Sequence, residues 1–346
     1  MRQALILLAI ISFLAFCSES SKELGEECSQ NSTSVESQRF LTGMNYPWRI
    51  YGGDFGGIPA WSKTGIAAHP GIYDRDLRAI RDTGSRVVRW WMFPDLRTGG
   101  IQIENGRLKS GKTLFADLRE ALRLAKKNDL KLVLCLFSFE SFRPARKEGA
   151  LTIRNLEDVL RDPRLRKDLM EEVIAPLART AAQSPDSDAL YAWDLINEPE
   201  WSLKGVDPVG GHPFYPLESV RPVSHAFMQE FLAQLAQTIR KEGATRITVG
   251  QSTPRWPQTW KALDLDFYQW HLYDWMEERS MYQKPPPPVC KPVVFGELPL
   301  VGLQGESYAE MIDKMKGNGW SGGWGWSYRG RVPSGAKLPV LDRPGR

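Results

Sequence analysis

Short apolar runs alternate with helical patterns along the chain from residue 40 onward. Between the apolar runs, hydrophobic side chains recur at helical spacing, as at Leu114, Leu118 and Leu122. The pattern predicts eight strands, at residues 40–45, 86–92, 131–138, 190–196, 246–250, 266–271, 292–297 and 320–327. Buried strands that alternate with amphipathic helices form parallel β/α units, and eight such units over about 300 residues predict a single (β/α)8 TIM barrel of the α/β class.

The alternative α/β architecture is an open doubly wound sheet, which usually carries a glycine-rich phosphate-binding turn after its first strand. The corresponding segment reads Gly43-Met44-Asn45-Tyr46-Pro47-Trp48, so the barrel is favoured. Two outer helices are expected to be short or irregular. Four prolines at 285–288 leave little room for a sixth helix, and Pro333, Pro339 and Pro344 follow the eighth strand.

The first residues resemble an export signal. Arg2 precedes an apolar run at 4–16 that is too short to span a bilayer comfortably. Leu14-Ala15-Phe16-Cys17 resembles the lipobox of bacterial lipoproteins, in which the cysteine is lipidated, although Phe16 replaces the usual small residue. We predict a signal segment at 1–17, a polar tether at 18–39 and a barrel domain at 40–346. Export as a cell-envelope lipoprotein anchored at Cys17 is favoured, with secretion second.

Composition narrows the function classes. The 346 residues are 42% hydrophobic and 25% charged, as in soluble globular proteins. A formal net charge of +4 without a dense Lys/Arg run does not favour nucleic acid as a partner. The chain has no C-x-x-C pair and only four scattered histidines, so neither a metal nor another cofactor is expected. The 13 Trp residues suit a sugar-binding cleft, although core packing accounts for several of them.

The cysteines allow one disulfide hypothesis. Cys28 and Cys290 are candidates for a bond that ties the tether to the barrel in an oxidising compartment, although the sequence does not settle the pairing. Cys135 lies within an apolar strand and is predicted to be a buried thiol.

The ends of the predicted strands carry the chemistry, because functional groups of a parallel barrel lie at the carboxyl ends of its strands. Those ends hold Arg89, Trp91, Asn197, Glu198, His271, Tyr273, Glu297, Trp324 and Trp326. Glu198 ends strand four and Glu297 ends strand seven, so the two carboxylates share one mouth. This is the arrangement that glycoside cleavage requires, with one carboxyl group as the acid and the other as the nucleophile.

The motifs around these residues resemble glycoside hydrolase family 5 of clan A. Trp193-Asp194-Leu195-Ile196-Asn197-Glu198-Pro199 contains the clan's Asn-Glu-Pro motif, and Val294-Phe295-Gly296-Glu297 is similar to its nucleophile strand. Gly84-Ser85-Arg86-Val87-Val88-Arg89 resembles the second-strand pattern that ends in a site arginine, and His271-Leu272-Tyr273 resembles the sixth-strand His-x-Tyr. Trp326 falls at the family's eighth-strand tryptophan, and the resemblance covers residues 40 to 330.

The resemblance implies a role for each residue. Glu198 is the acid/base and Glu297 the nucleophile, while Arg89 lies beneath Glu297 and keeps it ionised. Asn197 binds the sugar 2-hydroxyl, Tyr273 hydrogen-bonds the nucleophile, His271 supports the acid/base or the substrate, and Trp326 forms the stacking floor. Trp91 is a further substrate-binding candidate. Trp256 and Trp260, in the loop after strand five, are candidates for outer sugar subsites, whereas Trp90, Trp193 and Trp270 alternate with site positions and are expected to pack outward.

The details favour one substrate class. Many family members carry a histidine just after the third strand, where this chain reads Leu136-Phe137-Ser138-Phe139-Glu140. Arg89-Trp90-Trp91-Met92-Phe93 is more similar to the β-mannanase members than to the cellulases. The resemblance thus implies a monomeric, retaining, endo-acting hydrolase of a β-linked polysaccharide, with β-1,4-mannan ahead of β-glucan.

Other functions stay open on the same barrel. A carbohydrate-binding lipoprotein without turnover and a transglycosylase both suit these residues. A barrel aldolase or a phosphate-sugar enzyme needs a strand-end lysine or a glycine-rich phosphate loop. No predicted strand ends in lysine.

Overall fold

Eight parallel strands close a barrel in the computed structural model, which describes residues 40–244 and 246–329. The strands are β1 Leu41–Asn45, β2 Val87–Trp91, β3 Lys131–Ser138, β4 Leu190–Asn197, β5 Ile247–Gln251, β6 Tyr268–His271, β7 Val293–Pro299 and β8 Gly322–Trp326. Each pairs with its sequence neighbours, and β8 pairs with β1 to close the barrel. The (β/α)8 fold and all eight predicted strands are therefore confirmed. The predicted signal segment, Cys17, the tether and Cys28 lie outside the described residues.

The register brings the predicted site residues side by side. Asn197 pairs with Ser138 on β3 and with Gly250 on β5. His271 pairs with Glu297 across the junction of β6 and β7. Because the strands are parallel, these pairs all lie at one end of the barrel, where the loops that follow the strands form its mouth.

The outer layer consists of helices that pack their apolar stripes against the strands. They are α1 Pro70–Asp82, α2 Leu114–Lys127, α3 Leu156–Arg161, α4 Pro163–Asp168, α5 Ala175–Ala182, α6 His225–Lys241 and α7 Tyr308–Gly317, with a π-helical turn at Leu169–Ile174 between α4 and α5. Leu114, Leu118 and Leu122 are buried on α2, as their spacing predicts. Capping defines the helix starts: Ser224 accepts from the Phe227 N–H at α6, and Ser307 forms a capping box with Glu310 at α7. None of the helices among the described residues is long and apolar enough to span a membrane.

The outer ring is interrupted after two strands. Only a 3₁₀ turn, Lys261–Leu263, follows β5, and only a 3₁₀ helix, Glu277–Gln283, follows β6. The irregular sixth helix is confirmed, and the loss of the fifth was not predicted. The segment expected to hold an irregular eighth helix lies largely outside the described residues.

Aromatic rings cover the strands where helices are short. Trp256 packs on Phe214 with ring centroids 5.3 Å apart, and Trp260 stacks on His225 at 4.8 Å. The outward-facing Trp270 of β6 packs on Trp320 at 6.1 Å. As predicted, Trp90, Trp193 and Trp270 are all buried in the main hydrophobic core. Rigid rings thus fill the volume that a helix would otherwise occupy.

Three small two-stranded sheets extend the loops at the barrel mouth. None of these sheets was predicted from the sequence. The pairs are Ile101–Glu104 with Arg107–Ser110, Arg146–Glu148 with Leu151–Ile153, and Leu203–Lys204 with Val223–Ser224. They follow β2, β3 and β4 respectively, so these loops are ordered parts of the barrel mouth. Cys135 is buried and free, as predicted, and Cys290 is disulfide-bonded. The pairing of Cys290 with Cys28 stays a prediction.

Candidate active site

Glu198 follows β4 in a left-handed backbone conformation, with φ 50° and ψ 48°. Its N–H donates to the Gly250 carbonyl of β5 at 2.6 Å, and Pro199 then begins a short 3₁₀ turn. Residues other than glycine rarely adopt such a φ. A strained backbone of this kind persists only where the surrounding structure imposes it. The abrupt turn ends the strand and leaves the Glu198 carboxyl group lining the cleft at the barrel mouth.

Glu297 lies on β7 and is held by two donors. Arg89 Nη1 donates to Oε1 at 2.7 Å, and the Tyr273 hydroxyl donates to Oε2 at 2.6 Å. Only 4% of the Glu297 side chain is exposed. A carboxylate that accepts from a guanidinium and a phenol is fixed in orientation and is stabilised in its charged form.

Arg89 is fully buried beneath the site and forms hydrogen bonds to several of its residues. Besides Glu297, it donates from Nε to Asp194 Oδ2 at 2.8 Å, from Nη2 to Asn197 Oδ1 at 2.9 Å and from Nη1 to Asn45 Oδ1 at 3.2 Å. Burial opposes its charge, but the neighbouring carboxylates raise the pKa of Arg89 above its ordinary value. The arginine is therefore a permanent cation, and it lies beneath Glu297 as the resemblance implies.

His271 bridges the two carboxyl groups. Its Nδ1 lies 2.7 Å from Glu198 Oε1 and 3.5 Å from Glu297 Oε1. Burial lowers the pKa of His271 to about 4, so the ring is neutral at pH 7. Its Nε2 has no hydrogen-bond partner among the described residues. A buried N–H without an acceptor costs more than a bare lone pair, so the proton belongs on Nδ1 and is donated to Glu198.

The two carboxyl groups differ in their electrostatic surroundings. Burial raises the pKa of Glu198 to about 7, against the charge of Arg89 and a 3.0 Å hydrogen bond from Trp201 Nε1 to Oε2. Burial also raises the pKa of Glu297, so Arg89 alone does not keep that group at an ordinary pKa. Only Glu297 forms an ion pair with a guanidinium, and its ionisation is therefore favoured over that of Glu198.

The cleft above these residues has a volume of about 420 Å³ and strongly aromatic walls. It is lined by Trp48, Trp91, Phe139, Glu140, Asn197, Glu198, Trp201, Tyr273, Trp275, Glu297 and Trp326. The predicted Trp91 and Trp326 are therefore present. The sequence predicted no cleft role for Phe139, Glu140 or Trp275. Proximity was the available signal, since Trp201 lies three residues after Glu198 and Trp275 two residues after Tyr273.

The outer subsites predicted at Trp256 and Trp260 are wrong. Only 1% of Trp256 and none of Trp260 is exposed, and neither residue lines the cleft. The Trp260 indole N–H donates to Glu200 Oε1 at 2.6 Å, beneath the loop that follows β4. A ring with almost no exposed surface cannot stack on a sugar, so these two residues act in the core.

A polar layer below the carboxylates was also missed. Asp194 accepts from the Gly250 N–H and from Gln269 Nε2, both at 2.9 Å, while Asn45 Nδ2 donates to the Gly296 carbonyl at 2.7 Å. Polar residues at inward positions of apolar strands were the available signal. Gly250 is required by the close approach, because an added Cβ would lie 2.5 Å from Arg89 Nη2.

The site holds side chains that could ligate a metal ion, but the positive charge of Arg89 disfavours a cation there. Glu198, His271 and Glu297 each place one donor atom within 4.8 Å of the others. Arg89 already brings a positive charge to 2.7 Å from Glu297 and would repel a cation there. One oxygen of Glu198 and one oxygen of Glu297 lie within 4.8 Å of each other, so both carboxyl groups can reach the same bond of a substrate.

The chain was compared with known proteins. No family model matches it. It is 27% identical to a mannan endo-1,4-beta-mannosidase of Cryptopygus antarcticus over 204 residues, which are 58% of this chain and about half (47%) of that protein. It is 23% identical to a mannan endo-1,4-beta-mannosidase of Mytilus edulis over 83% of each chain. An endo-1,4-beta-mannanase structure from Eisenia fetida superposes with a TM-score of 0.69, at 20% identity over 89% of this chain and 90% of that one, which confirms the fold.

Proposed function

We propose that the protein is a retaining, endo-acting β-glycoside hydrolase of the family 5 type whose substrate is a β-1,4-mannan. The observation that carries the proposal is a pair of carboxyl groups with an oxygen of each within 4.8 Å of the other, one beside a guanidinium and the other beside a neutral imidazole and an indole. The two relatives named as mannan endo-1,4-beta-mannosidases support mannan and internal cleavage.

In the first step, the ionised Glu297 attacks the anomeric carbon and forms a glycosyl ester as the glycosidic C–O bond breaks. Glu198 gives its proton to the departing oxygen. His271 is hydrogen-bonded to Oε1 and Trp201 donates to Oε2, so both oxygens are held in place, and Oε2 is the one on the side of the cleft-lining Trp201. A carboxyl pKa of about 7 keeps Glu198 protonated up to neutral pH, as a general acid requires.

In the second step, a water loses a proton to the now ionised Glu198 and its oxygen attacks the anomeric carbon. The ester bond breaks, Glu297 leaves as a carboxylate, and two inversions give net retention. Arg89 and Tyr273 stabilise the released carboxylate through the hydrogen bonds that they already make.

Asn197 places an amide group beside the two carboxyl groups. Its Oδ1 accepts from Arg89 at 2.9 Å, which leaves Nδ2 at the cleft with only a long, 3.5 Å contact to Ser138 Oγ. An amide N–H in this position suits a sugar hydroxyl, in agreement with the 2-hydroxyl role that the resemblance implies. Trp326 and Trp91 offer apolar faces for the pyranose ring beside Glu297.

The test combines a substrate panel with rescue. Wild-type protein should release reducing sugar from mannan in preference to β-glucan and xylan, with products of retained configuration by NMR. Glu297→Ala should lose turnover and regain part of it with azide, giving a product of inverted configuration. Glu198→Ala should spare substrates with activated leaving groups. Binding of these glycans without sugar release would instead establish the carbohydrate-binding alternative, and Glu218→Ala, at an exposed loop position, is the control.

We also propose export and lipid attachment at Cys17, on the apolar segment at 4–16 and the lipobox-like sequence that follows it. Metabolic labelling with a radioactive fatty acid should mark the wild type and leave Cys17→Ser unlabelled. Labelling of neither protein, with the chain recovered in the medium, would establish secretion instead.

A further inference from the structure

Two carboxylates share the guanidinium of Arg89. Asp194, on β4, places Oδ2 2.8 Å from both Nε and Nη2, whereas Glu297, on β7, places Oε1 2.7 Å from Nη1. The side chains of Arg89 and Asp194 are fully buried, and only 4% of the Glu297 side chain is exposed. Because solvent and salt screen a buried cluster poorly, the charge of each member acts strongly on the other two.

The surroundings of Asp194 keep it ionised. Besides Arg89, Gln269 Nε2 donates to its Oδ2 and the Gly250 N–H donates to its Oδ1, both at 2.9 Å. A carboxyl group whose two oxygens both accept from donors is stabilised in its charged form. On β3, burial and the Asp194 charge raise the pKa of the Cys135 thiol well above its ordinary value, so the thiol stays neutral. The cluster therefore carries one positive and two negative charges before the reaction starts.

This charge balance changes during the proposed reaction. When Glu297 forms the glycosyl ester it loses its charge, and Asp194 becomes the anion that remains paired with Arg89. His271, 3.5 Å from Glu297, is neutral at pH 7 and adds no charge. A buried cation left without an anion is strongly unfavourable. Asp194 therefore removes a cost that ester formation would otherwise carry.

On the basis of the proposed hydrolase function, we propose that Asp194 is a positioning residue that acts through Arg89. It is the permanent counter-ion of the guanidinium, so Glu297 can give up its own charge to the ester without leaving Arg89 unpaired. Its negative charge favours ester formation and disfavours the return of Glu297 to a carboxylate. The first step of the reaction therefore depends on Asp194 more than the second step does.

A purely structural role for Asp194 leads to a different expectation. If the residue only held Arg89 in place, its loss would weaken the contact between Arg89 and Glu297, raise the pKa of Glu297 and slow both steps. If its charge matters, removing that charge leaves the whole guanidinium charge to Glu297 and lowers the pKa of Glu297. The direction of the change in pH dependence thus separates the two roles.

The probe 2-deoxy-2-fluoro-β-mannobiosyl fluoride measures each step in turn. A Glu297 oxygen bonds to the anomeric carbon and fluoride leaves with the bonding electrons, so no proton from Glu198 is needed. After the excess probe is removed, water attacks the anomeric carbon, gives its proton to Glu198 and breaks the ester bond. Intact mass spectrometry follows the gain of the sugar label and then its loss.

Asp194→Asn removes the charge and retains the shape of the side chain. Labelling should become about 10- to 100-fold slower, whereas loss of the label should stay within about twofold of the wild type or become faster. The acid limb of the labelling rate should move to lower pH. Gln269→Leu is the matched control, because it removes a hydrogen bond to Asp194 and no charge, and it should not move the acid limb to lower pH.

The opposite results would overturn the proposal. Slowing of both steps with an acid limb at higher pH would assign Asp194 a structural role, and rates equal to those of the wild type would assign it none. If Asp194→Asn does not fold, infrared difference spectra of wild-type protein with 13C-labelled aspartate decide. The aspartate carboxylate bands should be the same in the free and labelled protein, and a protonated aspartate band after labelling would reject the permanent counter-ion. A wild type that neither cleaves a glycan nor takes up the probe would reject the proposed function itself.

Discussion

Tyr273 shows how one hydroxyl sets the charge of the proposed nucleophile. Its hydrogen bond to Glu297 Oε2 lowers the pKa of that carboxyl group, against burial. Tyr273→Phe should therefore raise the pKa of Glu297 and move the acid limb of the kcat/KM profile to higher pH. Loss of a charge-assisted hydrogen bond should also lower kcat by about 10- to 100-fold. Tyr268→Phe, at the start of β6 and packed in the core, should change neither quantity. An acid limb that does not move would contradict the assignment.

Glu140 and Trp201 should shift the alkaline limb in opposite directions. The charge of Glu140 raises the pKa of Glu198, whereas the Trp201 hydrogen bond lowers it. Glu140→Gln should thus move the alkaline limb to lower pH and Trp201→Phe should move it to higher pH, each by about 0.5 unit. The pH dependence of kcat/KM on mannohexaose measures both shifts, since this limb reports the acid of the free enzyme. Shifts in the same direction would rule out Glu198 as the group that titrates.

Among individual residues, the site residues at the ends of strands were predictable from the sequence. Glu198, Glu297, Arg89, His271 and Tyr273 come together because a parallel barrel brings all its carboxyl ends to one face. It did not work for the loop tryptophans. A buried indole and a cleft indole have the same composition signal, and only the tertiary packing separates Trp256 from Trp201.

Among the larger elements, Glu200 joins the loops that follow β4 and β5. It is buried in the 3₁₀ turn that begins at Pro199, and it accepts from the Ser252 N–H at 2.9 Å and from Trp260 Nε1 at 2.6 Å. These contacts fix the turn that carries Trp201 and begins directly after Glu198.

Glu200→Ala should therefore cost roughly 2–4 kcal/mol of unfolding free energy, because it leaves two buried donors unpaired. Urea unfolding measures the loss, and the exposed Glu218→Ala should be neutral within about 0.5 kcal/mol. A loss no greater than that of Glu218→Ala would show that water replaces the carboxylate at no cost.

The strands were predictable because their apolar runs are short and well separated, whereas the helices were only partly so. The prolines at 285–288 signalled the missing sixth helix. Pro254 and Pro257 were a weaker signal for the missing fifth helix. In its place, Trp256 and Trp260 pack on Phe214 and His225, which are distant in sequence. Long-range packing of this kind leaves no local periodicity.

For the molecule as a whole, the buried glutamates should make stability depend on pH. Glu198 and Glu200 each have a pKa raised to about 7 by burial, whereas an unfolded glutamate ionises near pH 4.3. Between these values the folded state binds more protons, so the stabilising contribution is lost as pH rises through about 7. His271 has a pKa lowered to about 4, so its contribution makes the free energy of unfolding increase with pH. This contribution changes only below about pH 6.5, where an unfolded histidine begins to bind a proton.

The free energy of unfolding should therefore fall between about pH 6.5 and 8, where the histidine no longer contributes. Urea unfolding at several pH values measures the slope, and Glu200→Gln should make it shallower while the exposed Glu218→Gln leaves it unchanged. A free energy that rises over this interval would contradict the ionisation states assigned to the buried glutamates.

The left-handed backbone of Glu198 has a consequence for how this protein tolerates substitution. The residue combines an unfavourable φ with a buried ionisable group, so the position best suited to catalysis is poorly suited to folding. Glu198→Gly, which removes both penalties, should be more stable than Glu198→Ala by about 1 kcal/mol, as thermal unfolding near pH 8 would show. Equal melting temperatures would mean that the turn adapts to either residue. At this position, therefore, the substitution that most favours folding is also one that removes the proposed acid.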